Sequence, residues 1–219
     1  MEEREKLVVL GHKLIQAGLV KGAGGNISIR KGNSMYVTPS GLGLGECREE
    51  DLVDIDISTG EYSHDTNVPT CEYLIHLNIY RKRQDVNVVV HAHPPHVIGI
   101  CSAGAEIRPM TPDAAAYLYP IRQIPFITPG GQELADAVAG SVEDGTNTVV
   151  MENHGTVTLG RSCREAFMRT ELLEEEAKIQ SIACAAGNPH FLTDSQVQDI
   201  RNLNVEKYRQ EKAAETDSI

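Results

Sequence analysis

Two histidines separated by one residue, His91-Ala92-His93, close the apolar run Val88-Val89-Val90. Such a run reads as a buried strand, and on a strand residues i and i+2 project from one face, about 6–7 Å apart along the backbone. Imidazoles so placed can reach one metal ion through bonds of ~2.0–2.1 Å. A third histidine, His154, sits in Glu152-Asn153-His154-Gly155, a tight turn between two further apolar runs. A bare HxH is usually incidental, and a lone turn histidine more often bonds backbone than metal. Three histidines at strand ends supply the count of a catalytic metal centre, whose remaining coordination position stays open.

The other histidines carry less. His96 follows Pro94-Pro95, which turn the chain away from the strand, so a supporting or structural role is expected. His76 falls four residues after Glu72 on a predicted helix, where an i,i+4 pair or helix packing accounts for it. His12, His64 and His190 have no motif around them and are expected at the surface.

Three segments are suited to an anion. Gly22-Ala23-Gly24-Gly25-Asn26 lies between a helix and a strand; its glycines permit close approach by backbone N–H groups, and Asn26 adds a side-chain donor. It matches neither a dinucleotide fingerprint nor a P-loop. Thr38-Pro39-Ser40-Gly41 offers hydroxyls, and Val68-Pro69-Thr70-Cys71-Glu72 runs into a predicted helix N-terminus, which favours anions. Each segment alone is more often a turn. Together with a metal site they point to a phosphorylated small molecule.

The elements that must hold these residues follow from periodicity. Leu7, Leu10, Leu14 and Ile15 predict a helix over residues 5–18. Residues 26–30 and 35–38 read as strands joined by Lys31-Gly32-Asn33-Ser34, and 52–57 alternates as a half-buried strand should. Helices are predicted over 73–82, 132–142 and 162–186, and strands over 87–93, 121–127, 146–151 and 156–159. The tail after about Lys212 is expected to fray. Helices and strands mixed without regular βαβ alternation predict an α/β sandwich with a largely antiparallel sheet, in one domain spanning 1–219.

Composition narrows the partners. With 41% hydrophobic and 23% charged residues the chain is ordinary for a globular protein, and no apolar run reaches the ~20 residues of a bilayer span. The net charge of −11 argues against nucleic acid, which needs clustered Lys and Arg. The N-terminus MEEREKLVVLG does not read as a secretory signal, and five scattered cysteines without CxxC spacing read as free thiols. A cytoplasmic enzyme is expected.

Five segments, GGNIS at 24–28, TPSG at 38–41, PTCE at 69–72, HAH at 91–93 and ENHG at 152–155, resemble the class II aldolase/adducin family in order and spacing, over roughly residues 5–186. The resemblance implies a three-layer α/β/α sandwich and a divalent metal, usually zinc, on His91, His93 and His154. It implies Glu72 as catalytic acid/base, and Asn26, Ser40, Gly41, Thr70 and Cys71 around a sugar phosphate. It also implies a homo-oligomer, commonly a tetramer with sites between subunits. Manganese, cobalt or iron(II) would also suit imidazole ligands.

Two positions depart from the pattern. The family's aldolases carry a serine pair where this chain has Thr70-Cys71, and a thiol is a weak donor. They also place a tyrosine about twenty residues after HxH, where this chain reads Met110-Thr111-Pro112-Asp113; Tyr117, Tyr119 and Tyr208 are the candidates for the acid that serves the aldehyde oxygen. The expected reaction is cleavage of a ketose 1-phosphate to dihydroxyacetone phosphate and a short aldehyde such as lactaldehyde. Dehydration of a methylthioribulose phosphate, epimerisation at C4 of a pentulose phosphate, and decarboxylation are the alternatives on this scaffold. The epimerases and decarboxylases carry Asp where Glu72 stands, which favours the aldolase. A non-catalytic adducin-like binding module is the alternative of another class, and retention of Glu72 with the three histidines argues against it.

Overall fold

The computed structural model describes residues 2–63 and 67–215. One mixed sheet of seven strands organises them, in the order β3-β2-β1-β4-β7-β6-β5. The strands are β1 (Asn26–Lys31), β2 (Ser34–Val37), β3 (Val53–Asp56), β4 (Val88–Ala92), β5 (Ile121–Ile124), β6 (Thr148–Met151) and β7 (Gly155–Gly160). The helices are α1 (Glu3–Gln16), α2 (Tyr73–Lys82), α3 (Pro95–Ser102), α4 (Pro112–Tyr117), α5 (Gln132–Ser141), α6 (Cys163–Ala186), α7 (Asp194–Arg201) and α8 (Asn204–Glu215).

Alternation of side chains splits the core into layers. Met35, Val37, Val89, Val157 and Leu159 pack on Ile75, Leu77 and Ile79 of α2 and on Leu134 and Val138 of α5. Ile27, Ile29, Val88 and Val90 face the other way, onto Leu7, Leu10 and Leu14 of α1 and Cys163 and Ala166 of α6. Helices cover both faces, which makes the three-layer α/β/α sandwich with a mostly antiparallel sheet. The exception is β5, which pairs parallel with β6. The chain β5-α5-β6 is therefore a βαβ unit, a local alternation that the sequence reading did not anticipate.

All seven strands fall in segments read as extended, and Pro125 shortens the predicted 121–127 to 121–124. Four helices went unread. Two of them carry start signals: Thr111 caps α4 ahead of Pro112, and Thr193 with Gln196 forms a capping box on α7. The expected fraying after Lys212 is corrected as far as Glu215, because α8 continues to that residue; 216–219 lie outside the described residues. The five cysteines are free thiols, with Cys47, Cys101 and Cys163 buried. Burial pushes the Cys47 and Cys101 thiols up to about 11, where they stay protonated. No described helix is long and apolar enough to cross a membrane.

Candidate metal centre and active site

The central strand β4 ends at the same edge of the sheet where its antiparallel neighbours β1 and β7 begin, with Asn26 opposite His91 and Thr156 opposite Ala92. That edge collects the site. His91 is fully buried and points to the α2 side, as Val89 does. His93 follows just past the strand end, its N–H bonded to the Leu19 carbonyl. His154 comes from the turn between β6 and β7, where Asn153 adopts φ 54°, a left-handed conformation that asparagine tolerates. One ligand nitrogen from each of His91, His93 and His154 lies within 4.8 Å of the others.

Small residues make this crowding possible. A Cβ at Gly155 would stand 2.4 Å from the Ala92 carbonyl oxygen and 2.7 Å from Cδ2 of His93. A Cβ at Gly24 would stand 2.8 Å from Nδ1 of His93. The glycine-rich loop, expected as an anion cradle, thus also packs directly on the histidine pair.

Glu72, at the N-cap of α2, reaches into the cluster. Its Oε2 lies 3.0 Å from Nε2 of His91, its Oε1 lies 3.4 Å from Nε2 of His154, and the residue is 6% exposed. Asn26 donates to the same Oε2 from Nδ2 at 3.0 Å. Burial works against the charged form, but the His91 ring 3.0 Å away, the His154 ring and the Asn26 bond outweigh it and hold the carboxyl down at about 2. Glu72 therefore stands as a carboxylate. Burial, aided by the neighbouring rings, lowers His93 to about 4 and lowers His154 as well, so both favour the neutral, lone-pair form that binds metal.

The donor set fits a divalent cation. Nδ1 of His91 faces the Thr156 carbonyl at 2.9 Å, and because a carbonyl only accepts, that nitrogen carries the hydrogen. With the hydrogen on Nδ1, Nε2 is the nitrogen that faces the cluster, the usual support for a metal-ligating histidine. Nε2 of His93 lies 3.0 Å from the same Nε2. Three imidazole nitrogens and a carboxylate oxygen converge with few hydrogens among them, and Oε1 of Glu72 and Nδ1 of His154 are buried without a hydrogen-bond partner. A cation is what such a set lacks.

The expected phosphate segments come together beside Glu72. Ser40 N–H donates to the Val68 carbonyl at 2.9 Å and Thr70 N–H to the Thr38 carbonyl at 3.0 Å, so 38–40 and 68–70 form a short antiparallel ladder. Thr38 is tied in turn to Ile27 on β1. Ser40, Gly41 and Cys71 are exposed, Thr70 is buried, and Gly130 approaches Cys71 from the loop before α5. The Asn26 carboxamide is engaged at both ends, by Glu72 and by His76.

The tyrosines lie elsewhere on the chain. Tyr119 donates from its hydroxyl to the Ile107 carbonyl at 2.9 Å, and Tyr117 is buried with Arg209 stacked 5.5 Å from its ring. Tyr208, on α8, is 59% exposed. Met110 and Thr111 are held by the buried carboxylate of Glu176. His96 is held by Glu174 at 2.6 Å. His12 and His190 are exposed, and His64 lies outside the described residues.

Of the two readings of His76, helix packing holds and the pair with Glu72 does not: His76 is fully buried and bonds Oδ1 of Asn26 at 2.6 Å and Oγ of Ser28 at 2.7 Å, because α2 lays that face on β1. Sequence reasoning missed Ser28 and Tyr80 with it. The available signal was the four-residue spacing Glu72-His76-Tyr80 on one helix face, opposite Asn26 and Ser28 on one strand face.

Comparison with known proteins agrees with this architecture. The class II aldolase and adducin N-terminal domain model matches residues 5–181. The chain is 33% identical over 181 residues to an L-fuculose phosphate aldolase of Methanocaldococcus jannaschii, covering 81% of this chain and 94% of that one. It is 35% identical over 202 residues to a 5-deoxy-D-ribulose 1-phosphate aldolase of Bacillus thuringiensis serovar kurstaki, covering 91% and 93%. Among solved structures, an L-fuculose 1-phosphate aldolase superposes with a TM-score of 0.85 at 29% identity, covering 94% of this chain and 96% of that one.

Proposed function

Since the chain belongs to the class II aldolase and adducin family, we propose that it is a metal-dependent aldolase cleaving a ketose 1-phosphate into dihydroxyacetone phosphate and a short aldehyde. The observation that carries this reading is the buried Glu72 carboxylate set among His91, His93 and His154. The two curated relatives described above are named for ketose phosphates that differ in the aldehyde portion. That supports the dihydroxyacetone phosphate half as the fixed part of the substrate, with lactaldehyde, from L-fuculose 1-phosphate, as the first aldehyde to try.

In this reading His91, His93 and His154 hold the ion, and zinc is the first choice for three imidazoles, ahead of manganese, cobalt or iron(II). When bound, a divalent ion supplies Lewis-acid stabilisation of the negative charge that develops on the substrate oxygens as the carbon–carbon bond breaks. Glu72 handles the proton. In condensation it takes one from the hydroxymethylene carbon of dihydroxyacetone phosphate; in cleavage it takes up the equivalent of the proton lost from the C4 hydroxyl and delivers one to that carbon. As a carboxylate it is in the form that can accept a proton.

Asn26, Ser40, Gly41, Thr70 and Cys71 hold the phosphate, which fixes the reacting carbon relative to Glu72. Tyr117, Tyr119 and Tyr208 are the candidates to protonate the aldehyde oxygen, and Tyr208 is the exposed one of the three; a homo-oligomer, a tetramer by family precedent, is part of the same reading. Free thiols agree with a reducing, cytoplasmic setting. The test is release of dihydroxyacetone phosphate from L-fuculose 1-phosphate and from 5-deoxy-D-ribulose 1-phosphate by zinc-loaded protein. Cleavage of either supports the reading; water loss or inversion at C4 without cleavage assigns the dehydratase or epimerase chemistry instead.

A further inference from the structure

Behind Glu72 a line of side-chain hydrogen bonds runs into the interior. Asn26 Nδ2 donates to Glu72 at 3.0 Å, His76 Nε2 meets Asn26 Oδ1 at 2.6 Å, Ser28 Oγ meets His76 Nδ1 at 2.7 Å, and Tyr80 meets Ser28 at 2.9 Å. The Tyr80 hydroxyl also reaches the Asn87 carbonyl at 3.2 Å. Ser28, His76 and Tyr80 are fully buried and Asn26 is 4% exposed.

The chemistry of each atom sets one direction along this line. A carboxylate only accepts, so the Asn26 NH2 must face Glu72 and its carbonyl oxygen must face His76. That oxygen only accepts, so Nε2 of His76 carries the hydrogen. Burial, with the His91 ring adding to it, lowers His76 to about 3, so the ring is neutral and Nδ1 accepts from the Ser28 hydroxyl. Ser28, its hydrogen used, accepts from Tyr80, whose single hydrogen is shared between Ser28 and the Asn87 carbonyl.

We propose that His76 is a positioning residue: with Ser28 and Tyr80 it forms a one-directional hydrogen-bond relay that locks the Asn26 carboxamide with its NH2 on Glu72. A flipped carboxamide would put its oxygen against the carboxylate and its NH2 against a donor, so both contacts would become repulsive. Packing alone does not call for this set. Ile75, Leu77 and Ile79 of the same helix are apolar, and a leucine at 76 would serve the core with no polar group to satisfy. The relay acts on the proposed base and so rests on the aldolase reading, but its geometry can be tested without it.

The experiment uses the full chain, with and without zinc. Ring 15N shifts of His76 are expected to report a neutral imidazole with the hydrogen on Nε2; a hydrogen on Nδ1, or a charged ring at neutral pH, overturns the relay. Two variants then test its effect. His76→Gln places an amide N–H near the position of Nε2, whereas His76→Asn places one near Nδ1. Deuterium exchange into dihydroxyacetone phosphate is expected to be on the order of 10- to 100-fold faster in His76→Gln than in His76→Asn, as for partners that orient a site residue from behind. Equal rates overturn the relay. A parent protein that exchanges nothing sinks the aldolase reading, while the ring shifts still decide the relay.

Discussion

Oε2 of Glu72 lies 3.0 Å from Nε2 of His91, the nitrogen that faces the cluster while Nδ1 bonds the Thr156 carbonyl. The candidate base and a candidate metal ligand thus meet at one buried point on the central strand of the sheet. Proton transfer and metal binding can then be separated by substitution, because they use different atoms of the same cluster.

Glu72→Gln keeps the shape and the three imidazoles but removes the base. We expect zinc to remain bound, and dihydroxyacetone phosphate exchange to fall by about 10²–10⁴-fold, the range for general acid–base catalysis. His91→Ala and His154→Ala should instead lose the metal. Metal content of the purified variants, set beside their exchange rates, checks both statements.

Gly155→Ala tests the packing of the histidine pair. The added Cβ meets the Ala92 carbonyl oxygen and the His93 ring at distances no real Cβ holds. Overpacking of this kind costs about 1–3 kcal/mol, with about 2–4 °C of Tm lost per kcal/mol in a chain of this size. Because His93 must move, weaker zinc binding is expected alongside the lower Tm. Calorimetry with a zinc titration measures the two.

His76 gives a pH dependence of stability. Its folded pKa, about 3, lies below the ordinary histidine value, so between those values the unfolded chain binds a proton that the folded chain does not. Stability from this group is complete above about pH 6.5 and is lost as pH falls toward 3, by up to about 1.4 kcal/mol per pH unit. Glu72, also depressed, adds a loss of the same sign below its ordinary range. Urea unfolding of metal-free protein from pH 7 to 4 should show this fall, and His76→Gln should make it shallower, with His93 and His154, also lowered, keeping the remainder.

Cys71→Ser addresses the departure in the phosphate segment. A hydroxyl donates better than a thiol, and a net hydrogen bond is worth about 0.5–1.5 kcal/mol. If Cys71 faces the phosphate as the aldolase reading has it, KM for dihydroxyacetone phosphate should fall by about 2- to 10-fold at unchanged kcat. An unchanged KM places Cys71 outside the phosphate contacts.

The cluster was legible because each of its parts has a local signature. Strand periodicity put His91 and His93 on one side, and Asn153-His154-Gly155 announced a turn. What stayed hidden depends on which elements become neighbours. The register of Asn26 against His91 brings β1 under α2, and only then does His76 face Asn26 and Ser28 rather than Glu72. The glycines of 22–25 read as a turn or an anion loop because the close approaches of Gly24 to His93 and Gly25 to His91 span nearly seventy residues. The short helices α4 and α7 lack a long apolar period, and their only local signals are the caps in Thr111-Pro112 and Thr193-x-x-Gln196.

The most direct test of the central claim is proton exchange from dihydroxyacetone phosphate in D2O, followed at the hydroxymethylene signal by NMR with zinc-loaded protein. Stereospecific loss of one proton is expected, abolished by a chelator and by Glu72→Gln, with no aldehyde required. Absence of exchange in protein shown to carry its metal would contradict the aldolase and turn attention to the dehydratase and epimerase chemistries.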